Sequence, residues 1–165
     1  MSKKLILTKA ILAMEILSYV FCLGAFIVAA AACAAHEQIP AKYDRAGNII
    51  RYDSPGVLFL LPAVMLITNV LFSLIVHFVR AESWNLPFTP RPGREPVVYR
   101  DTARMLIMME LLFGVTSFLG TLFSYLGSRG PLNVLNGFLV LGMGADIIVS
   151  MALAARHNKG ASVSE

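Results

Sequence analysis

Four long apolar runs, at residues 10–35, 57–79, 105–126 and 132–155, leave this 165-residue chain few folds to choose from. A helix needs about 20 apolar residues to cross the hydrocarbon of a bilayer, and each run reaches that length. Backbone N–H and C=O groups find no water there, so each run must satisfy them internally as a helix. The expected fold is therefore all-α and integral to a membrane. It is one domain, a four-transmembrane-helix bundle with connections at 36–56, at 81–104 and around 128–131. The composition agrees, with 57% hydrophobic and 15% charged residues, where a soluble domain has about 45–50% and about 25%.

The basic residues set an orientation. Lys3, Lys4 and Lys9 precede the first run, Arg80, Arg91, Arg94, Arg100 and Arg104 surround the second connection, and Arg156 and Lys159 follow the fourth run. Those ten face only Lys42, Arg45, Arg51 and Arg129 on the other side. By the positive-inside rule both termini are expected in the cytoplasm. Because the basic residues flank apolar runs and form no single stripe, the net charge of +4 marks topology and no nucleic-acid partner. A cleaved signal would have a core of about 7–15 apolar residues; the first run is 26 residues long and contains Glu15, which favours a retained helix. Cys22 and Cys33 are about 16 Å apart along a helix, too far to bridge, and read as small packing residues.

The connections differ in chemistry. Loop 36–56 is expected outside, where Lys42, Arg45 and Arg51 balance Glu37, Asp44 and Asp53. Tyr43-Asp44-Arg45-Ala46-Gly47-Asn48-Ile49-Ile50 predicts two short extended arms around a Gly-Asn turn. Loop 81–104 carries Pro87, Pro90, Pro92 and Pro96, which predict an extended, semi-rigid connector with no continuous helix. Trp84 and Tyr99 are candidate interface anchors. The third connection is short enough to make the last two helices an antiparallel hairpin.

Polar and small residues recur at helical spacing within each run. The first has Glu15, Ser18, Cys22, Ala29 and Cys33, and the second Asn69, Ser73 and His77. The third has Glu110, Gly114, Ser117, Thr121 and Ser124, and the fourth Asn136, Gly142, Asp146 and Ser150. Such stripes are first of all the seam of a bundle, because small residues admit close approach and polar ones bond across helices. The acids go further, since a carboxylate in hydrocarbon costs about 2.5–3.5 kcal/mol even on insertion scales. Glu15 follows Lys9 by six residues and Glu110 follows Arg104 by six, so both should sit about 9 Å beyond their basic anchors and level with one another. Asp146 and Asn69 fall somewhat deeper. The three acids are expected to face one another or a wet cavity, with His77 as a proton partner.

Motifs for other chemistry are missing. The sequence has no GxSxG, HExxH, P-loop or GxGxxG, and the oxygens of Asp44, Asn48 and Asp53 lack EF-hand spacing and have Arg45 and Arg51 among them. No catalytic residue, metal ligand or cofactor is assigned.

Ile39-Pro40, Tyr43, Gly47 and Asp53, then Pro62 in the second run and Trp84-Asn85-Leu86-Pro87 after it, resemble the bacterial SdpI-like membrane family over about residues 10–125. Where that family commonly has a His shortly after the Ile-Pro, this chain has Ala41-Lys42, so no role passes to that position. The resemblance implies a bacterial inner-membrane protein of immunity, sensing or interaction type, and no enzyme. It would bind an envelope or peptide partner through Pro40, Tyr43, Asp44, Arg45, Gly47, Arg51, Tyr52 and Asp53, with a cytoplasmic protein at loop 81–104. The alternative expectation is a small proton- or ion-coupled transporter, as a homodimer, using Glu15, Asn69, His77, Glu110 and Asp146.

Overall fold

The computed structural model describes residues 6–44 and 48–159. They form helices α1 (Lys9–Ala35), α2 (Leu60–Phe78), α3 (Glu95–Tyr125) and α4 (Arg129–Lys159), with strands β1 (Ile39–Tyr43) and β2 (Ile49–Asp53) between α1 and α2. All four helices are long and apolar enough to cross a membrane. The side chain of Tyr43, together with Lys3, Lys4, Arg45 and Gly47, lies outside the described residues, as does the side chain of Arg129.

Local chemistry sets the boundaries. Thr8 caps α1, its hydroxyl accepting the Ile11 N–H at 3.3 Å. A 3-10 turn over Pro55–Phe59 leads into α2, and Pro62 falls in the first turn of that helix, where its missing N–H would have had no partner. Helix α3 corrects the expectation of an extended connector as far as residue 104, for it begins at Glu95. Pro87, Pro90 and Pro92 do break the chain, but Pro96 sits in the first helical turn and helps start α3. Both α3 and α4 have 31 residues. At about 1.5 Å per residue they exceed the roughly 30 Å of hydrocarbon that a crossing helix must span.

Helix α3 is the hub, packing against α1, α2 and α4, whereas α4 lies along α3 and has only sparse contact with α1 and α2. The four helices thus form a three-helix core with α4 on its flank. Val134, Phe138, Val140, Leu141 and Ile148 of α4 are all more than half exposed. This arrangement also corrects two stripe positions, because Cys33 and Asn136 are exposed.

The β-hairpin forms as predicted, with longer arms. Ile39 pairs with Asp53 and Tyr43 with Ile49, and the register is irregular around Lys42. Asp44 closes the turn by accepting the Asn48 backbone N–H at 2.8 Å and its side-chain amide at 2.9 Å. Ile39 anchors the hairpin in an apolar cluster with Ala29, Ala32 and Leu58.

At the opposite end, where α1 begins and α4 ends, Ile6, Ile11, Val76, Tyr99, Ala103 and Ile107 form a second apolar cluster. The linker between α2 and α3 folds over it. Trp84 meets Tyr99 edge-on at 6.1 Å, and Asn158 of α4 clasps the linker, accepting the Arg91 N–H at 2.7 Å and donating to the Thr89 carbonyl at 3.1 Å. His157 lies 2.6 Å from the Asp101 carboxylate beside that clasp.

Candidate functional site

One hydroxyl joins two of the three acids carried by the apolar helices. Ser73 of α2 lies 2.8 Å from Glu15 of α1 and 3.2 Å from both carboxyl oxygens of Glu110 on α3. The Tyr19 hydroxyl meets the same Ser73 oxygen at 2.8 Å. His77, one turn beyond Ser73, has Nε2 2.9 Å from both oxygens of Glu15. Glu110 has no exposed surface and Glu15 is 8% exposed, so neither carboxyl is hydrated in the ordinary way.

Proton counting defines what this cluster can do. Ser73 has a single proton and can donate to one carboxylate at a time. Two ionised carboxylates sharing that hydroxyl would repel in a site that excludes water. The arrangement is self-consistent when a proton is shared between the acids, with Ser73 between them and His77 leading outward. The His77 side chain is 31% exposed against 11% for Glu15, so His77 is the link between the cluster and its surroundings.

Asp146 is not part of this group. It accepts from Ser150 on its own helix at 3.1 Å, has one carboxyl oxygen without a hydrogen-bond partner, and lies within electrostatic reach of Arg104. Its separation follows from α4 lying on the flank of α3. The expectation that the three acids face one another is therefore corrected to a pair plus one. Asn69 packs one turn above Ser73 and has no exposed surface; its amide donates to Ser18 at 2.8 Å and approaches Cys22 sulfur at 3.6 Å.

A second feature occupies the hairpin end. A cavity of about 520 Å³ lies between the hairpin and the ends of α2, α3 and α4. It brings Pro40, Arg51 and Asp53 of the loop together with Thr121, Ser124, Asn133 and Asn136 of α3 and α4. Arg51 and Asp53 are ion-paired at 2.7 Å, so the polar lining offers amides, hydroxyls and a neutralised pair. Tyr52 is 53% exposed on the hairpin surface. Asp44 is engaged in the turn and does not line the cavity.

Among the described residues no group of three or more His, Cys, Asp and Glu is placed to hold a metal ion. Sequence reasoning missed Tyr19 as a member of the carboxyl cluster and the Asn158 clasp altogether. Tyr19 follows Glu15 by one helical turn, which is a usable signal; Asn158 meets the linker through a tertiary contact that no local pattern announces. No protein family, no curated protein and no solved structure matches the chain.

Proposed function

We propose that the chain is a multi-pass protein of the bacterial cytoplasmic membrane, with both termini inside, that receives a peptide or envelope ligand at its hairpin end. The observation that carries this reading is the half-open cavity of about 520 Å³ beneath the hairpin, within the roughly 300–1,000 Å³ range of ligand sites. The resemblance of Ile39-Pro40, Asp53 and Trp84-Asn85-Leu86-Pro87 to SdpI-like proteins supports it. Its lining, apolar with amides, hydroxyls and a neutralised ion pair, suits an uncharged peptide segment. The test compares protection of a deletion strain against secreted peptide toxins by wild type, Arg51→Ala and Asn136→Ala, with membrane amounts matched. Loss of protection is expected in both variants; full protection by a chain with residues 39–53 scrambled would refute the reading.

The Glu15–Ser73–Glu110 cluster favours a second reading, a proton-coupled membrane protein. Its test is proton flux into proteoliposomes under an imposed gradient. Flux above empty vesicles that Glu110→Gln abolishes supports it, and absence of flux from wild type rejects it.

A further inference from the structure

We infer that the cavity under the hairpin and the buried carboxyl pair are the two ends of one proton path. The inference rests on the proton-coupled reading and goes beyond it by naming the route.

The half of the route farther from the hairpin consists of hydrogen bonds already in place. Glu110, Ser73, Glu15 and His77 follow one another at 3.2, 2.8 and 2.9 Å. A proton leaving the Glu110 carboxyl passes to Ser73 as Ser73 passes its own to the Glu15 carboxylate. The products are an ionised Glu110, an unchanged Ser73 and a protonated Glu15. Glu15 then delivers its proton to His77 Nε2, and the resulting imidazolium releases it to water at the exposed edge of the ring. The groups facing Glu110 that bear on these transfers are Glu15 and Tyr19 from α1 and Ser73 and His77 from α2, while Asp146 of α4 shares no hydrogen bond with the cluster.

The half nearer the hairpin rests on orphaned polar atoms. Asn69 Oδ1 and Thr121 Oγ1 are buried without a hydrogen-bond partner, Ser117 on the same seam has the weakly bonding Cys22 thiol beside its hydroxyl, and all three residues are at most 1% exposed. Buried polar atoms are almost always bonded, and each orphan costs about 1–3 kcal/mol unless something satisfies it. Two on one seam, with a hydroxyl bonded only to a thiol between them, are a consistent sign of a site for water. They are also ordered along it. Ser117 and Thr121 occupy the α3 face that carries Glu110, about 10 and 16 Å further along the helix. Asn69 sits across from them, one turn beyond Ser73. Thr121 forms part of the cavity wall with its hydroxyl oxygen buried behind it, so the last orphan lies next to the cavity. Water held by these oxygens extends the hydrogen-bonded chain from the cavity to Glu110, and no charged side chain interrupts it.

The experiment uses the full chain in oriented proteoliposomes with Cys33→Ser as background, because Cys33 is exposed and Cys22 is buried. Flux is measured for Thr121→Val, Ser117→Ala and Thr121→Cys, the last before and after a membrane-impermeant thiol reagent added on the hairpin side. Elution profile and thermal midpoint are recorded for each to establish folding. The inference expects flux to fall about tenfold in Thr121→Val and in Ser117→Ala, the factor set by one lost hydrogen bond of the relay. It also expects the reagent to block Thr121→Cys from that side. Folded Thr121→Val and Ser117→Ala with wild-type flux, while Glu110→Gln is still inactive, would overturn the route and leave the proton-coupled reading standing. No flux from wild type would overturn both.

Discussion

Gly114 is the position where adding one methyl group should do most harm. A Cβ built there lies 2.5 Å from the Ser18 carbonyl oxygen, 2.9 Å from its Cα and 3.1 Å from its carbonyl carbon, all backbone atoms of α1. Distances under 3.0 Å are not tolerated and 3.4 Å is ordinary contact, so the two helices must part by about 0.5–0.9 Å. No side-chain rotation can supply that movement. Overpacking of this kind costs about 1–3 kcal/mol, against a gain of about 1 kcal/mol from replacing glycine by alanine within a helix. The shift also strains the carboxyl cluster, because Ser18 follows Glu15 by one turn and Gly114 follows Glu110 by one turn. Lengthening the 2.8 Å bond from Ser73 to Glu15 takes part of another hydrogen bond, worth about 1 kcal/mol. The net expectation for Gly114→Ala is destabilisation by about 1–2 kcal/mol.

Two other glycines make the test internal. At Gly120 the nearest atom is Leu61 Cδ2 at 2.7 Å, the end of a flexible side chain, and at Gly144 nothing lies within 4 Å. Thermal unfolding in detergent, followed by loss of the monodisperse species, should rank Gly144→Ala at or above wild type, Gly120→Ala slightly below and Gly114→Ala lowest. A Gly114→Ala protein as stable as Gly144→Ala would refute the close α1–α3 approach and with it the geometry of the carboxyl pair.

Glu110→Gln should leave stability within about 1 kcal/mol of wild type, because the amide keeps a hydrogen bond to Ser73 and removes one of two facing acids; a loss above about 3 kcal/mol would mean that the charge itself holds the site together. Asn158→Ala removes the bonds to Arg91 and Thr89 and should cost about 1–3 kcal/mol locally, seen as faster tryptic cleavage after Arg94 in detergent. Asp44→Ala opens the turn closed through Asn48 and should speed amide exchange at Asn48 and Ile49 while α1 to α4 keep theirs.

Helix number and approximate limits were legible because hydrocarbon length and backbone satisfaction permit so little else. The polar face of α3 was equally plain: Glu110, Gly114, Ser117 and Thr121 are all buried, as a period near 3.6 requires. Depth was legible too, since counting residues from Lys9 and Arg104 put Glu15 and Glu110 on one level, where Ser73 now joins them. Azimuth across the bundle was not. Asp146 has the spacing of a seam residue, yet α4 packs on the far flank of the core and turns it toward Ser150 and Arg104. Burial cost says that an acid needs a partner without saying which helix supplies it. Proline in the connector misled for a related reason, since the residue that interrupts a helix also opens one, and Pro96 opens α3.

Helix α4 is engaged at both ends of the molecule while packing on a single neighbour between them. Its first turns contribute Leu132, Asn133 and Asn136 to the cavity under the hairpin, and its last turn holds the α2–α3 linker through Asn158. Between them it rests on α3 alone, with few contacts to α1 or α2 to resist a tilt. A continuous helix of 31 residues moves more as a rod than as a chain, so a wedge against its first turns must displace its last. Asn133→Trp places such a wedge without any ligand, and it should loosen the linker to trypsin at Arg94 as Asn158→Ala does. The two substitutions together should then add little to either alone, because both act on the same two hydrogen bonds. Unchanged cleavage in a folded Asn133→Trp protein would show that α4 bends or that its seat on α3 absorbs the push, and the cavity and the clasp would then be mechanically independent.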